Sequence, residues 1–438
     1  MYDVKPLHCS NSYPYSPISL ATMHTKTTLD TGLRIVTEQI PHARTAALGI
    51  WIDVGSRDET ALNNGTSHFL EHMFFKGTRA RTARQISMEL DCFGGMSNAF
   101  TSKDTTCLYA TVPGDKLTPL SHLLADVFTS SLFDQQEIER EAHVILQEIA
   151  MVEDMPDDQA YEQFEVDFWG GHALGQTVLG DADVVASMTS EKLATHIDTL
   201  YHPKNVVISC AGQVDHESFC ASLEPLFAGF SRTAQPLSRR EPDRSRALTH
   251  HVVRKDLEQV HLLLGAKGVK ITSEKRFALI LLNTLLGGNM SSRLFQEVRE
   301  KRGLAYSIAT FVESYEDCGY LGITGGVSKE TVNEALDIIA TQLQSVSNAA
   351  SITDEEFRLA LEYSKASLFL AGENLEARMT RNGRNEFYFG RDITLDEVAQ
   401  AISKVTRDDI ASLARELFGG PLGCLAMGAV TEKDVNWF

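Results

Sequence analysis

The stretch His68-Phe69-Leu70-Glu71-His72 opens a run of mostly apolar residues. On a helix, residues four positions apart lie one above the other, so both imidazoles can reach a single metal ion. The glutamate lies beside them and can take a proton from a metal-bound water; the order is the inverse of the commoner H-E-x-x-H. The alternative interpretation is a pair of surface histidines. The apolar neighbours instead predict a largely buried helix, in which polar groups need partners.

A catalytic zinc ion commonly has three protein ligands, so the two histidines leave one ligand to find. The predicted helix 136–152 carries Glu141 and Glu148 seven positions apart, on one face, and Glu137 belongs to the same stripe. The spacing alone leaves Glu141 and Glu148 open as the third ligand. A solvated acidic face is the alternative interpretation of this helix.

Local patterns around the motif alternate between strands and helices. Residues 33–40, 46–54, 96–101 and 106–112 have the apolar content of strands. Ser67 is the expected N-cap of the helix that starts at His68, and Thr82 is the expected N-cap of the next helix.

The length of 438 residues exceeds the usual size of one core and predicts two domains. A strand, a helix, a short acidic turn and a second helix recur at an offset of 219 positions, as between Glu137 and Glu356. Residues 231–247 contain two prolines and five arginines and are the predicted linker. We therefore predict an α+β protein of two related α/β-sandwich halves, each a mostly antiparallel sheet packed with helices. The predicted divisions are a disordered tail (1–24), a first half (25–230), the linker (231–247) and a second half (248–438).

Composition excludes several classes of protein. Lys and Arg number 40 against 59 Asp and Glu, a net charge of −19, which disfavours nucleic-acid binding and favours cationic partners. The seven cysteines form no C-x-x-C pair, which indicates a reducing compartment. No apolar stretch approaches the roughly 20 residues that span a bilayer, so we expect no membrane partner. A cytoplasmic location is the first expectation, ahead of the mitochondrial matrix.

The motif, followed by Met-Phe-Phe-Lys-Gly-Thr, resembles the zinc site of the pitrilysin/insulinase metallopeptidase family. The resemblance implies that Glu148, 76 positions after His72, is the third zinc ligand and that Glu141 supports the site. Residues 94–101 are similar to the edge strand on which the family binds substrate backbone, which implies substrate contacts for Asn98, Ala99 and Phe100. Phe75 is a candidate for lining the pocket beside the metal, although core packing is the more usual role of a phenylalanine.

The resemblance extends over residues 26–430 and includes the second half. Arg299 and Tyr306, seven positions apart, are similar to the family's Arg and Tyr that reach the active site from the C-terminal half. The likeness is to the short-chain branch that includes mitochondrial processing peptidases and bacterial relatives. Because one chain carries both parts, the resemblance implies a homodimer rather than an obligate heterodimer.

These observations predict an endopeptidase that uses one zinc ion per chain, with peptides as partners. Glu71 is the expected general base, and Tyr306 and Arg299 are expected to stabilise the oxyanion or hold the substrate backbone. The alternatives are a non-catalytic structural or partner subunit of the same fold, and a zinc-binding scaffold or metal-dependent lyase. Residues 137–167 contain eleven acidic residues and one basic residue, which either form a solvated face or favour basic, presequence-like peptides.

Overall fold

The computed structural model describes residues 23–231, 237, 239–243 and 248–438. Residues 1–22 of the predicted tail, and residues 232–236, 238 and 244–247 of the predicted linker, lie outside the described residues. The first strand begins at Met23, two residues before the predicted start of the first half.

The first half is built on a six-stranded sheet. Its strands are β1 (Met23–Thr28), β2 (Arg34–Gln39), β3 (Thr45–Ile52), β4 (Met96–Thr101), β5 (Thr106–Pro113) and β6 (Val206–Gly212). They lie in the order β1-β2-β6-β3-β5-β4, and every neighbouring pair is antiparallel except β2 and β6. The strand β4 therefore lies at an edge of the sheet.

The second half repeats this topology with five strands. They are β7 (His250–Arg254), β8 (Val260–Lys267), β9 (Ala305–Ser314), β10 (Gly319–Val327) and β11 (Gly423–Gly428), in the order β7-β11-β8-β10-β9. The parallel pair in this sheet is β7 and β11, which correspond in position to β2 and β6 of the first sheet. Without β1, the two sheets correspond strand for strand, which confirms two related, mostly antiparallel halves.

Helices cover both sheets. Those of the first half are α1 (Thr66–Phe74), α2 (Ala83–Phe93), α3 (Leu117–Ser130), α4 (Gln135–Asp154), α5 (Pro156–Trp169), α6 (Ala182–Ala186), α7 (Ser190–Leu200) and α8 (His216–Phe227). Those of the second half are α9 (Arg276–Leu286), α10 (Val332–Val346), α11 (Asp354–Gly372), α12 (Leu375–Phe389), α13 (Leu395–Lys404) and α14 (Arg407–Phe418). A π-helical turn spans Phe295–Glu300. Among the described residues, none of these helices is long and apolar enough to cross a bilayer.

In each half, one helix packs against the sheet of the other half. Helix α5 packs on β11 and β8, where Phe164 and Phe168 are buried with Tyr320 and Leu425. Helix α12 packs on β6, β3 and β2 of the first sheet. The exchange covers the sheet faces that the halves' own helices leave apolar, so neither half contains all of its own core.

The contact of α12 with the first sheet is close. Met379 is fully buried, and its sulfur accepts a hydrogen bond of 3.1 Å from the indole N–H of Trp51. A Cβ atom at Gly383 would lie 2.9 Å from the Trp51 ring, so glycine is required for this approach. The two partners are separated by 328 positions in the sequence.

Buried ion pairs join the halves on another side. The Arg57 guanidinium, with 1% of its side chain exposed, binds Asp104 of the first half at 3.0 Å and Asp317 of the second at 2.8 Å. Arg239, from the predicted linker, binds Asp58 at 2.8 Å and is also largely buried. This part of the predicted linker is therefore anchored to the first half.

Candidate metal centre

Helix α1 is held at its N-terminus by a distant carboxylate. The helix begins at Thr66 after Gly65, whose φ of 96° lies in the left-handed region that favours glycine. The N–H groups of Gly65 and Ser67 each donate to Glu59 at 2.6 Å. The prediction that Ser67 caps the helix is wrong, because Glu59 satisfies these donors and places Ser67 inside the first turn. Thr82, by contrast, caps α2 as predicted.

The three predicted metal ligands converge. The Nε2 atoms of His68 and His72 lie 3.7 and 3.6 Å from the same Glu148 oxygen. Atoms of the three side chains all lie within 4.8 Å of one another. The first two come from successive turns of α1 and the third from α4, which packs against it. The site is accessible to solvent on the side of Glu148, of which 36% of the side chain is exposed.

The chemistry of this donor set fits zinc. Two imidazoles and one carboxylate form a common catalytic zinc triad, and metal–ligand distances of about 2.0–2.1 Å place tetrahedral ligands roughly 3.3 Å apart. Burial, with the neighbouring His72, lowers the pKa of His68 to about 4, so its ring is neutral at pH 7, as metal binding requires.

Glu141 supports His72 from behind. Its carboxylate, with 7% of the side chain exposed, lies 3.1 Å from His72 Nδ1 and 2.5 Å from the ammonium of Lys76. A carboxylate at Nδ1 fixes the tautomer that leaves Nε2 free for a metal. The structure thus places Glu141 behind His72, and Glu148 beside the Nε2 atoms of both histidines. Glu148 is therefore the better placed of the two glutamates for a third ligand, a choice that the spacing in the sequence left open.

The candidate general base is also held in place. The hydroxyl of Thr101, the last residue of β4, donates to Glu71 Oε2 at 2.6 Å. Burial raises the pKa of Glu71 above its ordinary value, although the Thr101 hydrogen bond opposes the shift. The other carboxylate oxygen remains available for a proton.

A cavity of about 340 Å³ lies beside the base. It is lined by Glu71 and His72 and by three of the four predicted substrate-binding residues, Phe75, Asn98 and Ala99. The fourth, Phe100, lies in the same edge strand and packs against the rings of Trp51, at 5.5 Å, and Tyr109. Phe100 lines a second cavity, of about 370 Å³, between the two halves.

Arg299 and Tyr306 are brought together in the second half. Arg299 lies in the π-helical turn, and its guanidinium stacks on the rings of Phe295, at 4.7 Å, and Tyr306, at 5.3 Å. Tyr306 belongs to the edge strand β9 and is 81% exposed. In the described part of the chain, no hydrogen bond or ion pair links either residue to the metal centre, so their catalytic role stays a prediction.

Part of the acidic run 137–167 is used within the protein. Three of the eleven acidic residues pair with Arg or Lys: Glu137 with Arg140, Glu141 with Lys76 and Glu165 with Lys103. Three others lie against histidine rings: Glu148, Asp157 and Asp167. The charge that can act on a substrate is therefore smaller than the sequence suggests.

Three supporting residues were missed in the sequence: Glu59, Thr101 and Lys76. Lys76 follows the end of α1, so the helical spacing rule does not reach it. Glu59 and Thr101 act across tertiary contacts, and no spacing rule indicates them.

Comparison with known proteins gives matches over most of the chain. Residues 34–182 match the family model described as insulinase (peptidase family M16), and residues 187–363 match the model described as the peptidase M16 inactive domain. An uncharacterized zinc protease of Streptomyces coelicolor is 39% identical, over 94% of this chain and 91% of its own. The uncharacterized zinc protease YmxG of Bacillus subtilis is 41% identical, over 89% and 95%.

Solved structures have the same fold. A protease from Helicobacter pylori superposes with a TM-score of 0.88 at 22% identity, covering 93% of this chain and 99% of that one. A peptidase M16 inactive domain from Pseudomonas fluorescens superposes with a TM-score of 0.85 at 19% identity, covering 93% and 98%.

Proposed function

The chain belongs to the insulinase (M16) peptidase family, and we propose that it is a zinc-dependent endopeptidase that cleaves peptides or unfolded segments between its two halves. The observation that carries this proposal is the convergence of His68, His72 and Glu148, with the Glu71 carboxylate beside them. A binding scaffold has no need of a base next to the metal ligands.

The proposed reaction is hydrolysis of a peptide bond. His68, His72 and Glu148 would hold a zinc ion, which would polarise the scissile carbonyl group as a Lewis acid and lower the pKa of a bound water. Glu71 takes the proton of the attacking water and later delivers it to the leaving amine. Thr101 holds one oxygen of Glu71 so that the other faces the reacting atoms.

Edge strand β4 is the proposed substrate platform. Its outer side has no neighbouring strand among the described residues, so an extended peptide can pair with its backbone. Asn98 and Ala99 lie in this strand and line the cavity beside Glu71, with Phe75 opposite. Arg299 and Tyr306 are proposed to reach the bound peptide from the second half and stabilise the oxyanion.

Basic, presequence-like peptides are the proposed preferred substrates. The cavity between the halves is lined by four carboxylates, from Asp104, Glu162, Glu165 and Glu313, and by two cations, Lys103 and Arg384. Lys103 is paired with Glu165, so Glu162 and Glu313, with the rings of Phe100 and Tyr388, are proposed to receive a cationic side chain. This preference is tested by comparing kcat/KM for basic and acidic peptides at low and high salt. Equal values at low salt would rule it out.

A non-catalytic partner subunit is the second candidate. One matching family model has the description "inactive domain", and it covers residues 187–363. The zinc motif at residues 68–72 and Glu148 lie outside that match, in the part that the peptidase model covers. The complete ligand set therefore favours the peptidase.

We also propose that the protein is a homodimer, since a single chain carries both the zinc site and Arg299 with Tyr306. Light scattering on the purified chain tests this, and a monomer at working concentration would contradict it. The similar curated proteins are bacterial, and we propose a cytoplasmic location for this chain.

The central test compares wild type with Glu71→Gln. The variant should keep one zinc ion per chain and lose cleavage of a quenched peptide, because the amide cannot accept a proton. His68→Ala should lose both zinc and cleavage. Retained cleavage by zinc-loaded Glu71→Gln would contradict the proposed role, and zinc-loaded wild type that cleaves no peptide library member would favour the non-catalytic subunit.

A further inference from the structure

A cavity rich in arginine lies on the second half, on the exposed side of α12. Its volume is about 790 Å³, and its lining includes Arg276, Arg381 and Arg384 against a single carboxylate, Glu376. This concentration of positive charge is unexpected in a chain with a net charge of −19. It therefore calls for a function of its own.

The three guanidinium groups are incompletely paired within the protein. Arg384 is exposed and has no carboxylate within ion-pair distance among the described residues; its guanidinium lies 5.9 Å from the ring centre of Tyr388. Arg381 contacts Glu38 at 3.4 Å, and its buried Nε finds no hydrogen-bond partner in the part of the chain that the structure describes. Glu38 also binds Arg378, so one carboxylate serves two cations.

Arg276 completes the group from helix α9. It lies against the rings of Phe277, at 4.1 Å, and Phe389, at 5.2 Å, which fix the plane of its guanidinium. Burial lowers the pKa of both Arg276 and Arg381, the expected effect where positive charge is desolvated without a full complement of anions. Planar guanidinium groups in this setting bind carboxylates through paired N–H donors.

The position of the cavity indicates the source of the anion. Thr380, Arg384 and Tyr388 line this cavity and also the cavity between the halves, which Phe100 of edge strand β4 lines from the other side. A peptide paired with β4 can therefore continue past Phe100 to the arginines without leaving the protein surface.

We propose that Arg384, Arg381 and Arg276 form a subsite that binds a carboxylate of the peptide substrate, either its C-terminal carboxylate or an acidic side chain. This inference rests on the proposed peptidase function, since it assigns one part of the substrate to a separate site. Binding there anchors the chain at a distance from the scissile bond and improves affinity more than turnover.

The test measures binding separately from cleavage. Zinc-loaded Glu71→Gln is titrated with two pairs of fluorescent peptides built on one parent sequence. The first pair has no acidic side chain and differs only at the C-terminus, which is a free acid in one peptide and an amide in the other. In the second pair both peptides are C-terminal amides, and they differ only in one Glu or one Gln near the C-terminus. We expect one of the two carboxylate peptides to bind about tenfold more tightly than its neutral partner, as one charge-assisted hydrogen bond provides. A difference in affinity within the acid and amide pair identifies the C-terminal carboxylate as the ligand, and a difference within the Glu and Gln pair identifies an acidic side chain.

Arg384→Gln, added to Glu71→Gln, should remove this discrimination, because Arg384 has no ion pair whose loss would disturb the fold. Arg358→Gln, an exposed arginine on α11, is the control that removes the same charge from the same half. Arg381→Gln should act like Arg384→Gln, with Tm measured to confirm folding.

Equal affinity for acid and neutral peptides, or a difference in affinity that survives Arg384→Gln, overturns the proposal. If wild type cleaves no peptide while the discrimination is present, the peptidase function fails and the carboxylate subsite stands.

Discussion

Thr101 is the residue that connects the proposed substrate strand with the proposed base. Thr101 lies at the end of β4, and its hydroxyl donates a hydrogen bond of 2.6 Å to Glu71 Oε2. Thr101→Val keeps the shape of the side chain and removes the donor, so Glu71 can rotate away from the reacting water. We expect kcat to fall about tenfold, with KM and zinc content unchanged, since a hydrogen bond to a charged group contributes on the order of 1.5–3 kcal/mol.

The matched control for Thr101 is Thr101→Ser, which keeps the hydroxyl and should restore most of kcat. Steady-state kinetics with one peptide and zinc analysis of each variant provide the comparison. An unchanged kcat in Thr101→Val, or equal losses in the Val and Ser variants, would show that the hydroxyl does not position Glu71.

His196 makes a second residue-scale prediction, on stability. It lies under α1, with Nε2 3.2 Å from the hydroxyl of Ser67, and burial lowers its pKa to about 4. The unfolded chain takes up a proton at His196 near its ordinary pKa of 6.5, while the folded protein does not until about 4. The free energy of unfolding should therefore decrease as the pH falls from 6.5 to 4, by up to about 3 kcal/mol from this residue.

Urea unfolding of wild type and His196→Gln at several pH values measures this contribution. The variant should show a smaller loss of stability between pH 6.5 and 4, whatever its stability at pH 7. Parallel pH profiles would mean that His196 is protonated in the folded protein, contrary to its burial.

At the scale of elements, local chemistry predicted the helix that carries His68 and His72, but not the residue that caps its N-terminus. The apolar run after His68 was sufficient to indicate a buried helix, and Thr82 was recognisable as a cap because its partner Gln85 is three residues away. The cap of α1 comes from Glu59 across a loop, so the nearer Ser67 was chosen wrongly. Local patterns identify caps only where both partners are local.

The exchange of helices between the halves has no local signal either. The predicted divisions place residues 156–169 in the first half and 375–389 in the second, although α5 and α12 each cover the sheet of the other half. Their apolar residues show that a face is buried, and not against which sheet. The contact between Trp51 and Met379, 328 positions apart, has no local signature.

Met379 provides the element-scale prediction. Met379→Ala removes a fully buried side chain between α12 and the first sheet and leaves a cavity beside Trp51. We expect the free energy of unfolding to fall by about 2–5 kcal/mol, the range for buried Met to Ala. Met88→Ala, at a 52% exposed position, should change it by less than about 0.5 kcal/mol. Similar small effects for both variants in urea unfolding would contradict a core shared between the halves.

At the scale of the whole molecule, the sequence predicted the two halves from a faint repeat, and the matching strand orders confirm them. The pairing of His68 with His72 followed from the motif, whereas the choice of Glu148 over Glu141 as the third candidate ligand depended on a family resemblance and not on spacing. The three side chains converge, and their binding of zinc stays a prediction. The unity of the molecule was not predictable. It depends on exchanged helices and on Arg57, which binds an aspartate from each half.

This unity leads to the last prediction, that the two halves unfold together. Unfolding of the first half would remove α5 from the second sheet and expose Phe164, Phe168 and their partners; unfolding of the second half would remove α12 and expose Trp51. Either event would also break a buried ion pair of Arg57, which costs several kcal/mol when one charge is left unpaired. Neither half is therefore stable once the other has unfolded, despite a length that ordinarily gives separate domains.

Urea unfolding followed by tryptophan fluorescence and by far-UV circular dichroism should give one transition with coincident midpoints. Two separated transitions would show that each half has a sufficient core of its own, and that the exchanged helices are accessory to it.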